Sequence, residues 1–121
     1  MKVHSNKLLL VIEDEDEARS LMVGIIKRKG IGVLETGKGK EAIELYRKFK
    51  PDGVILDLRL PDIKGEEVLK EIKDINPEAK IYLITGTADR IEIEEAIKLG
   101  AIGYISKPIT VEELLKIVDF F

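Results

Sequence analysis

Residues 53–61 read Gly53-Val54-Ile55-Leu56-Asp57-Leu58-Arg59-Leu60-Pro61. The run 54–56 is apolar at every position and rich in β-branched side chains, with a glycine before it and a proline soon after. A strand with one wet face alternates apolar and polar residues, so a continuous apolar run of this length predicts a strand covered on both faces, as in a parallel sheet. The run stops on Asp57. A short acid directly after a buried strand has little reason to be there unless the mouth of the strand needs it.

Four further runs of strand length occupy residues 8–12, 32–35, 81–84 and 102–105. Stripes with helical spacing follow each strand in turn. They are Ala18, Leu21, Met22, Ile25; Ala42, Leu45, Tyr46, Phe49; Val68, Leu69, Ile72, Ile75; Ile93, Ala96, Ile97; and Val111, Leu114, Leu115, Val118. Each stripe can cover one face of a sheet, and the recurring pair predicts an α/β fold built as a βα repeat with five strands and five helices. Boundary residues agree with that division. Lys50-Pro51 and Asn76-Pro77 disfavour continued helix, Gly30 and Gly100 can close helices, and Thr110 with Glu113 forms a capping box. Right-handed crossovers leave few orders for five parallel strands, and among them 2-1-3-4-5 sets the first and third strands side by side.

With 121 residues, 45% of them hydrophobic, residues 1–121 are expected to form a single domain with a real core. The chain has no cysteine, and its one histidine, His4, stands in a polar N-terminal stretch, which argues against zinc and thiol chemistry. The apolar run 8–12 is far too short to span a membrane and residues 1–7 lack the apolar core of a signal peptide, so a soluble, cytoplasmic protein is expected. A net charge of −3 with dispersed basic residues offers no stripe for a run of phosphates, so nucleic-acid binding by this segment is not expected.

The strand ends carry the chemistry. The first strand runs into Glu13, Asp14, Glu15, Asp16 and Glu17, and the third ends in Asp57, so these carboxylates should meet at one crevice. Two unit charges about 4 Å apart repel by roughly 4 kcal/mol at an effective dielectric near 20, and a hard divalent cation compensates that repulsion. Mg²⁺ prefers oxygen ligands and typically takes one or two carboxylates together with phosphate oxygens and water, which suits Asp14 and Asp57 with Glu13 nearby. Glu15, Asp16 and Glu17 are read more simply as acids favoured in the first turn of a helix. The fourth strand ends at Thr85-Gly86, where a hydroxyl can donate to an anionic oxygen, and the fifth in Ser106-Lys107-Pro108, which delivers a lysine to the same rim.

In this order and spacing the sequence resembles the receiver family of response regulators from about Lys7 to Phe121. The acid pair of the family is similar to Glu13 and Asp14, with Glu in place of the commoner first Asp. Its phosphoacceptor resembles Asp57 within Asp57-Leu58-Arg59-Leu60-Pro61, followed by a glycine like Gly65. Its hydroxyl residue resembles Thr85, its switching aromatic Tyr104, and its Lys-Pro pair Lys107-Pro108, a bond then expected to be cis. The strand order 2-1-3-4-5 of a doubly wound, flavodoxin-like sheet is that of chemotaxis receivers themselves, so it follows from the resemblance and is no independent derivation.

The resemblance implies a phosphorylation switch of a two-component or phosphorelay system, and not an independent enzyme. Asp57 would accept a phosphoryl group from a sensor histidine kinase or phosphotransfer protein. Mg²⁺ would sit on Asp14, Asp57 and the Arg59 backbone carbonyl, with Glu13 acting through water. Lys107 and Thr85 would bind phosphoryl oxygens, and Thr85 moving inward would leave space for Tyr104. Arg59 and Thr87, two positions after the acceptor and the switch hydroxyl, are expected to tune phosphoryl lifetime. The downstream partner is a separate target or a fused output domain.

Three rivals share parts of this pattern. A flavodoxin-like electron carrier needs hydroxyl- and glycine-rich phosphate contacts where this chain has five acids. An aspartyl-phosphate phosphatase normally wants a second Asp where Arg59 stands. A receiver fold used only for dimerisation or docking, never phosphorylated, would not need every principal site position filled.

Overall fold

A computed structural model describes residues 6–86 and 89–121; His4 and Thr87 lie outside the described residues. Five strands, β1 (Leu8–Ile12), β2 (Gly32–Thr36), β3 (Gly53–Asp57), β4 (Ile81–Thr85) and β5 (Gly103–Ser106), alternate with five helices. The helices are α1 (Asp16–Arg28), α2 (Gly39–Phe49), α3 (Gly65–Ile75), α4 (Arg90–Lys98) and α5 (Val111–Phe120). All strands pair in parallel in the order β2-β1-β3-β4-β5. At the centre Val54 lies between Leu10 of β1 and Ile81 of β4.

Alternation along the strands sorts the core into two layers, because successive side chains leave a strand on opposite faces. Leu10, Ile12, Val54, Leu56 and Leu83 pack with Ala42, Tyr46, Val68, Leu69, Ile72 and Ala96, so α2, α3 and α4 cover one face. Leu9, Val11, Ile55 and Ile84 pack with Met22, Val23, Ile26, Leu114, Ile117 and Val118, so α1 and α5 cover the other. Every residue of β3 is buried. The edge strands β2 and β5 are not apolar and covered on both faces as expected, because each lacks a neighbour on one side and its residues are largely half-buried or exposed.

Two helix stripes also differ from expectation. In α1 the buried face is Met22, Val23 and Ile26, while Leu21 is 64% exposed. Residues 21, 22, 23, 25 and 26 are all apolar, so the sequence allows two faces about one position apart, and packing against α5 selects one. In α4 Ala96 is the one buried residue, and Ile91 and Ile97 face solvent. This helix is anchored by one small side chain, and therefore weakly.

Helix ends follow the local chemistry. The Thr110–Glu113 capping box is present, and Gly30 and Gly100 adopt positive φ just past α1 and α4. The segment Gly37-Lys38-Gly39-Lys40 contains the start of α2, whose Gly39 and Lys40 amides donate to Asp62 at 2.8 and 2.9 Å. At Gly65 the chain turns tightly under the loop that follows β3. A Cβ there would come within 2.5 Å of the Leu58 backbone, so the loop carrying Leu58 and Arg59, just after Asp57, rests directly on the first turn of α3.

Candidate functional site

Parallel strands end together, and here the C-terminal ends of β1, β3, β4 and β5 bring five of the expected residues to one rim. Asp57 is the last residue of β3 and is buried. Its Oδ2 accepts from Lys107 Nζ at 2.7 Å and its Oδ1 from the Arg59 amide at 3.0 Å. Glu13, just past β1, is fully buried. Its Oε2 accepts from the Glu15 amide at 2.9 Å, and its Oε1 lies 2.6 Å from Lys107 Nζ but off the direction of a hydrogen bond. Lys107 thus bridges Glu13 and Asp57, with Glu15 Oε1 further out at 3.7 Å.

The electrostatics follow from that crowding. Burial pushes the Glu13 carboxyl above its ordinary value and the nearby charge of Asp57 adds to the push, against the pull of Lys107 and the Glu15 amide. For Lys107 burial works downward, but the hydrogen bond to Asp57 and the close negative charge of Glu13 outweigh it and hold the ammonium above its ordinary value. A buried acid pair held on one lysine is a poor way to stabilise a fold, since desolvation offsets much of the attraction.

The remaining expected residues are placed as follows. Asp14 follows Glu13 and is exposed. Thr85 ends β4, fully buried, and its carbonyl accepts from the Lys107 amide at 2.8 Å. The Lys107-Pro108 bond is cis. Tyr104 lies opposite Leu83 on β5 and is 47% exposed, lining a groove of about 630 Å³ with Ile93, Ile97 and Lys98 of α4. The Arg59 side chain reaches from the β3 loop to Glu92 of α4 at 3.2 Å. Among the described residues, no three acid, His or Cys side chains are already gathered around one point as a cation cage.

Sequence reasoning missed two partners of the rim. Glu15, read only as a helix-dipole acid, supplies the amide that holds Glu13 and a third carboxylate near Lys107. Arg19 of α1 reaches back to donate to the Glu13 carbonyl at 2.8 Å. Nothing in a single sequence marks an arginine for that duty, although its place one helical turn beyond the acids is compatible with it.

Residues 9–119 match the family described as "Response regulator receiver domain". The chain belongs to that family. The receiver is 37% identical over 103 residues to the chemotaxis protein CheY of Thermotoga maritima, covering 84% of this chain and 86% of that one. It is 28% identical to sporulation initiation phosphotransferase F of Bacillus subtilis, covering 90% and 88%. Among solved structures, a DNA-binding response regulator of the LuxR family from Staphylococcus aureus is 30% identical, with a TM-score of 0.86 over 94% of this receiver and 97% of that chain. A CheY-like receiver from Methanospirillum hungatei shares the fold with a TM-score of 0.92. The receiver is therefore a module of two-component signalling.

Proposed function

We propose that Asp57 is the phosphoryl acceptor of this receiver and that residues 1–121 act as one phosphorylation switch. The observation that carries the reading is the setting of Asp57: a buried carboxylate at a strand mouth, held by Lys107 at 2.7 Å and the Arg59 amide at 3.0 Å, facing a second buried acid. A carboxylate oxygen of Asp57 attacks phosphorus in line with the donor nitrogen. The new O–P bond forms as the P–N bond of a phosphohistidine breaks, and the imidazole keeps the electron pair. The donor is a sensor histidine kinase or a phosphotransfer protein, and the recipient of the signal is a separate target or an output domain on the same polypeptide.

The donor set at the rim suits Mg²⁺. It is all oxygen, it includes a buried Glu13 oxygen without a directed hydrogen-bond donor, and it carries more negative charge than Lys107 can balance. Glu13, Asp14, Asp57 and the Arg59 carbonyl would hold the ion, Glu13 through water, and bound Mg²⁺ would supply positive charge against the phosphoryl oxygens. Few protein ligands are needed, because Mg²⁺ keeps several waters.

Lys107 then exchanges part of its contact with Asp57 for a phosphoryl oxygen, and the Thr85 hydroxyl donates to another. Thr85 moving inward vacates space that Tyr104 enters from its exposed position beside α4. Converting a 1:99 population to 99:1 requires about 5.5 kcal/mol of differential contact, and Lys107 and Thr85 are where the phosphoryl group makes it. Arg59 and Thr87, two positions in sequence after the acceptor and the switch hydroxyl, set the lifetime of the phosphoryl group. A cytoplasmic location fits these partners, and no described helix is long and apolar enough to cross a membrane.

Intact mass after incubation with acetyl phosphate and Mg²⁺ tests the reading. One added phosphoryl group, absent in Asp57→Asn and in the presence of chelator, is the expected result. A folded, Mg²⁺-loaded protein that takes up no phosphoryl group would instead mark a receiver fold used only for docking.

A further inference from the structure

The last hydrogen bond of the β1–β2 ladder runs from the Glu13 amide to the Thr36 carbonyl at 3.0 Å. Beyond it the ladder stops. The Lys38 amide, next in line on the β2 side, turns away to the Thr36 hydroxyl at 3.1 Å. The Glu13 carbonyl therefore leaves the sheet without a strand partner, at the peptide that joins the two acids Glu13 and Asp14. Arg19 Nη1 takes its place, donating to that carbonyl at 2.8 Å.

The guanidinium that does this is itself held on its other edges. Nη2 donates to Asp16 at 2.8 Å and Nε to Glu35 of β2 at 3.2 Å, and the side chain is only 20% exposed. A planar fork fixed at three points has little freedom, so it pins the carbonyl in direction as well as in distance. Gly37 completes the arrangement. A Cβ there would lie 3.0 Å from Arg19 Nη1, 3.4 Å from the Glu13 carbonyl oxygen and 3.5 Å from Asp14 Cα, so a side chain at residue 37 would press the fork aside by a few tenths of an ångström.

The orientation of the 13–14 peptide sets the direction in which the Asp14 Cα–Cβ bond leaves the backbone. The hydrogen bonds of the Arg19 guanidinium go to the Glu13 carbonyl, Asp16 and Glu35, so its coupling to Asp14 passes through the peptide. We infer that Arg19, with Gly37 making room for it, is a positioning residue for the Mg²⁺ ligands Glu13 and Asp14. The inference rests on the Mg²⁺ site proposed above. Groups that orient metal ligands characteristically cost 10- to 100-fold in metal affinity when removed, roughly the scale expected here. Saturating Mg²⁺ should restore the chemistry, because Arg19 touches neither Asp57 nor the phosphoryl position.

Calorimetric titration with MgCl₂ of the parent, Arg19→Gln, Gly37→Ala and Arg47→Gln tests this. Acetyl phosphate labelling rates are followed across the same Mg²⁺ range, with melting curves for each protein. Arg47→Gln removes a helix-surface ion pair on α2, away from the rim, and serves as the control. Arg19→Gln is expected to weaken Mg²⁺ binding by about tenfold or more, with a labelling rate at saturating Mg²⁺ within about twofold of the parent. Gly37→Ala should shift affinity in the same direction by less, and Arg47→Gln should not shift it. Lower melting temperatures in Arg19→Gln and Gly37→Ala with Mg²⁺ affinities equal to the parent's would overturn the inference and leave Arg19 a tie between α1 and β2. Should Arg19→Gln fail to fold, Gly37→Ala decides by the same criterion. A parent that binds no Mg²⁺ at all overturns the metal site itself, a result distinct from any difference among the variants.

Discussion

The two ends of the sheet handle polar groups in opposite ways. At the N-terminal end Asp52 accepts from the Leu8 amide at 2.8 Å, and Lys73 of α3 donates to the carbonyls of Pro77 and Ala79 at 3.1 and 2.7 Å. Each charge there serves backbone groups near solvent, and the Phe121 ring seals the start of β3 against Gly53. At the C-terminal end Glu13 and Asp57 are buried together on one lysine, and Thr85 is buried beside them. One end satisfies the fold's own hydrogen bonds. The other confines charge that the fold would be as stable without, which is the signature of a site kept for chemistry.

The sharpest way to break that contrast is to compare one substitution at each end. Asp57→Asn should abolish acetyl phosphate labelling while the melting temperature holds or rises, because it relieves the repulsion with Glu13 and leaves Lys107 its Glu13 partner. Gly53→Val should do the reverse. Its side chain overlaps the Phe121 ring and costs about 1–3 kcal/mol, while labelling of the folded fraction stays at the parent rate. Thermal denaturation and intact mass on both variants check the pair. A large stability loss in Asp57→Asn would show the rim acids to be structural after all.

Lys107 sharpens the comparison further, since among the described residues it is the one cation holding the rim acids at short range. Lys107→Ala should slow labelling by roughly a hundredfold, the usual cost of removing one donor from an oxyanion. The same change should tighten Mg²⁺ by about tenfold, because the ammonium no longer competes for Glu13 and Asp57. Calorimetry and labelling rates read the two effects separately. Loss of both would mean that Lys107 organises the acids and does not compete for them.

Arg59 joins the rim to α4, the helix anchored by Ala96 alone. Its pairing with Glu92 is exposed and is worth no more than about 1 kcal/mol, so Arg59→Asn should leave the melting temperature nearly unchanged. Dephosphorylation should be roughly fivefold faster, because the smaller side chain opens the approach of water to the phosphoryl group. An unchanged decay rate in Arg59→Asn, and in Thr87→Glu, would remove both residues from the tuning role.

How much of this was legible beforehand depended on the range of each interaction. The strands were readable because burial on both faces writes itself into consecutive residues, and the strand ends carried Asp57, Thr85 and Lys107 to one rim once the sheet was parallel. The buried face of α1 was not readable, since Leu21, Met22, Val23, Ile25 and Ile26 are all apolar and only contact with α5 chooses among them. Exposure of β2 and β5 did not follow from their apolar runs taken alone, although the order 2-1-3-4-5 already puts both at the edges of the sheet. The pairing of Arg59 with Glu92 and the duty of Arg19 both depend on long side chains crossing between elements, for which one sequence holds no period or motif.

Asp62 is the smallest test and belongs to the fold's side of the comparison. Its carboxylate accepts the Gly39 and Lys40 amides from 23 and 22 residues away, capping α2, which has no side-chain cap of its own. Burial tends to raise its pKa, but those amide hydrogen bonds outweigh it and hold the carboxyl below the ordinary value of 3.8. A depressed folded-state pKa means that the ionised form stabilises the fold. That stability is fully present above the unfolded value of 3.8 and is lost as pH falls through the folded value beneath it. Asp62→Ala should therefore cost about 1 kcal/mol near neutral pH, the usual worth of such a cap. The gap between variant and parent should narrow only below pH 3.8, as the parent's carboxyl protonates. Urea titrations at several pH values measure it, and Mg²⁺ affinity should not move, because the cap holds a helix and touches none of the rim acids. A gap that closes well above that pH would show that a different group carries the acid sensitivity of this end of α2.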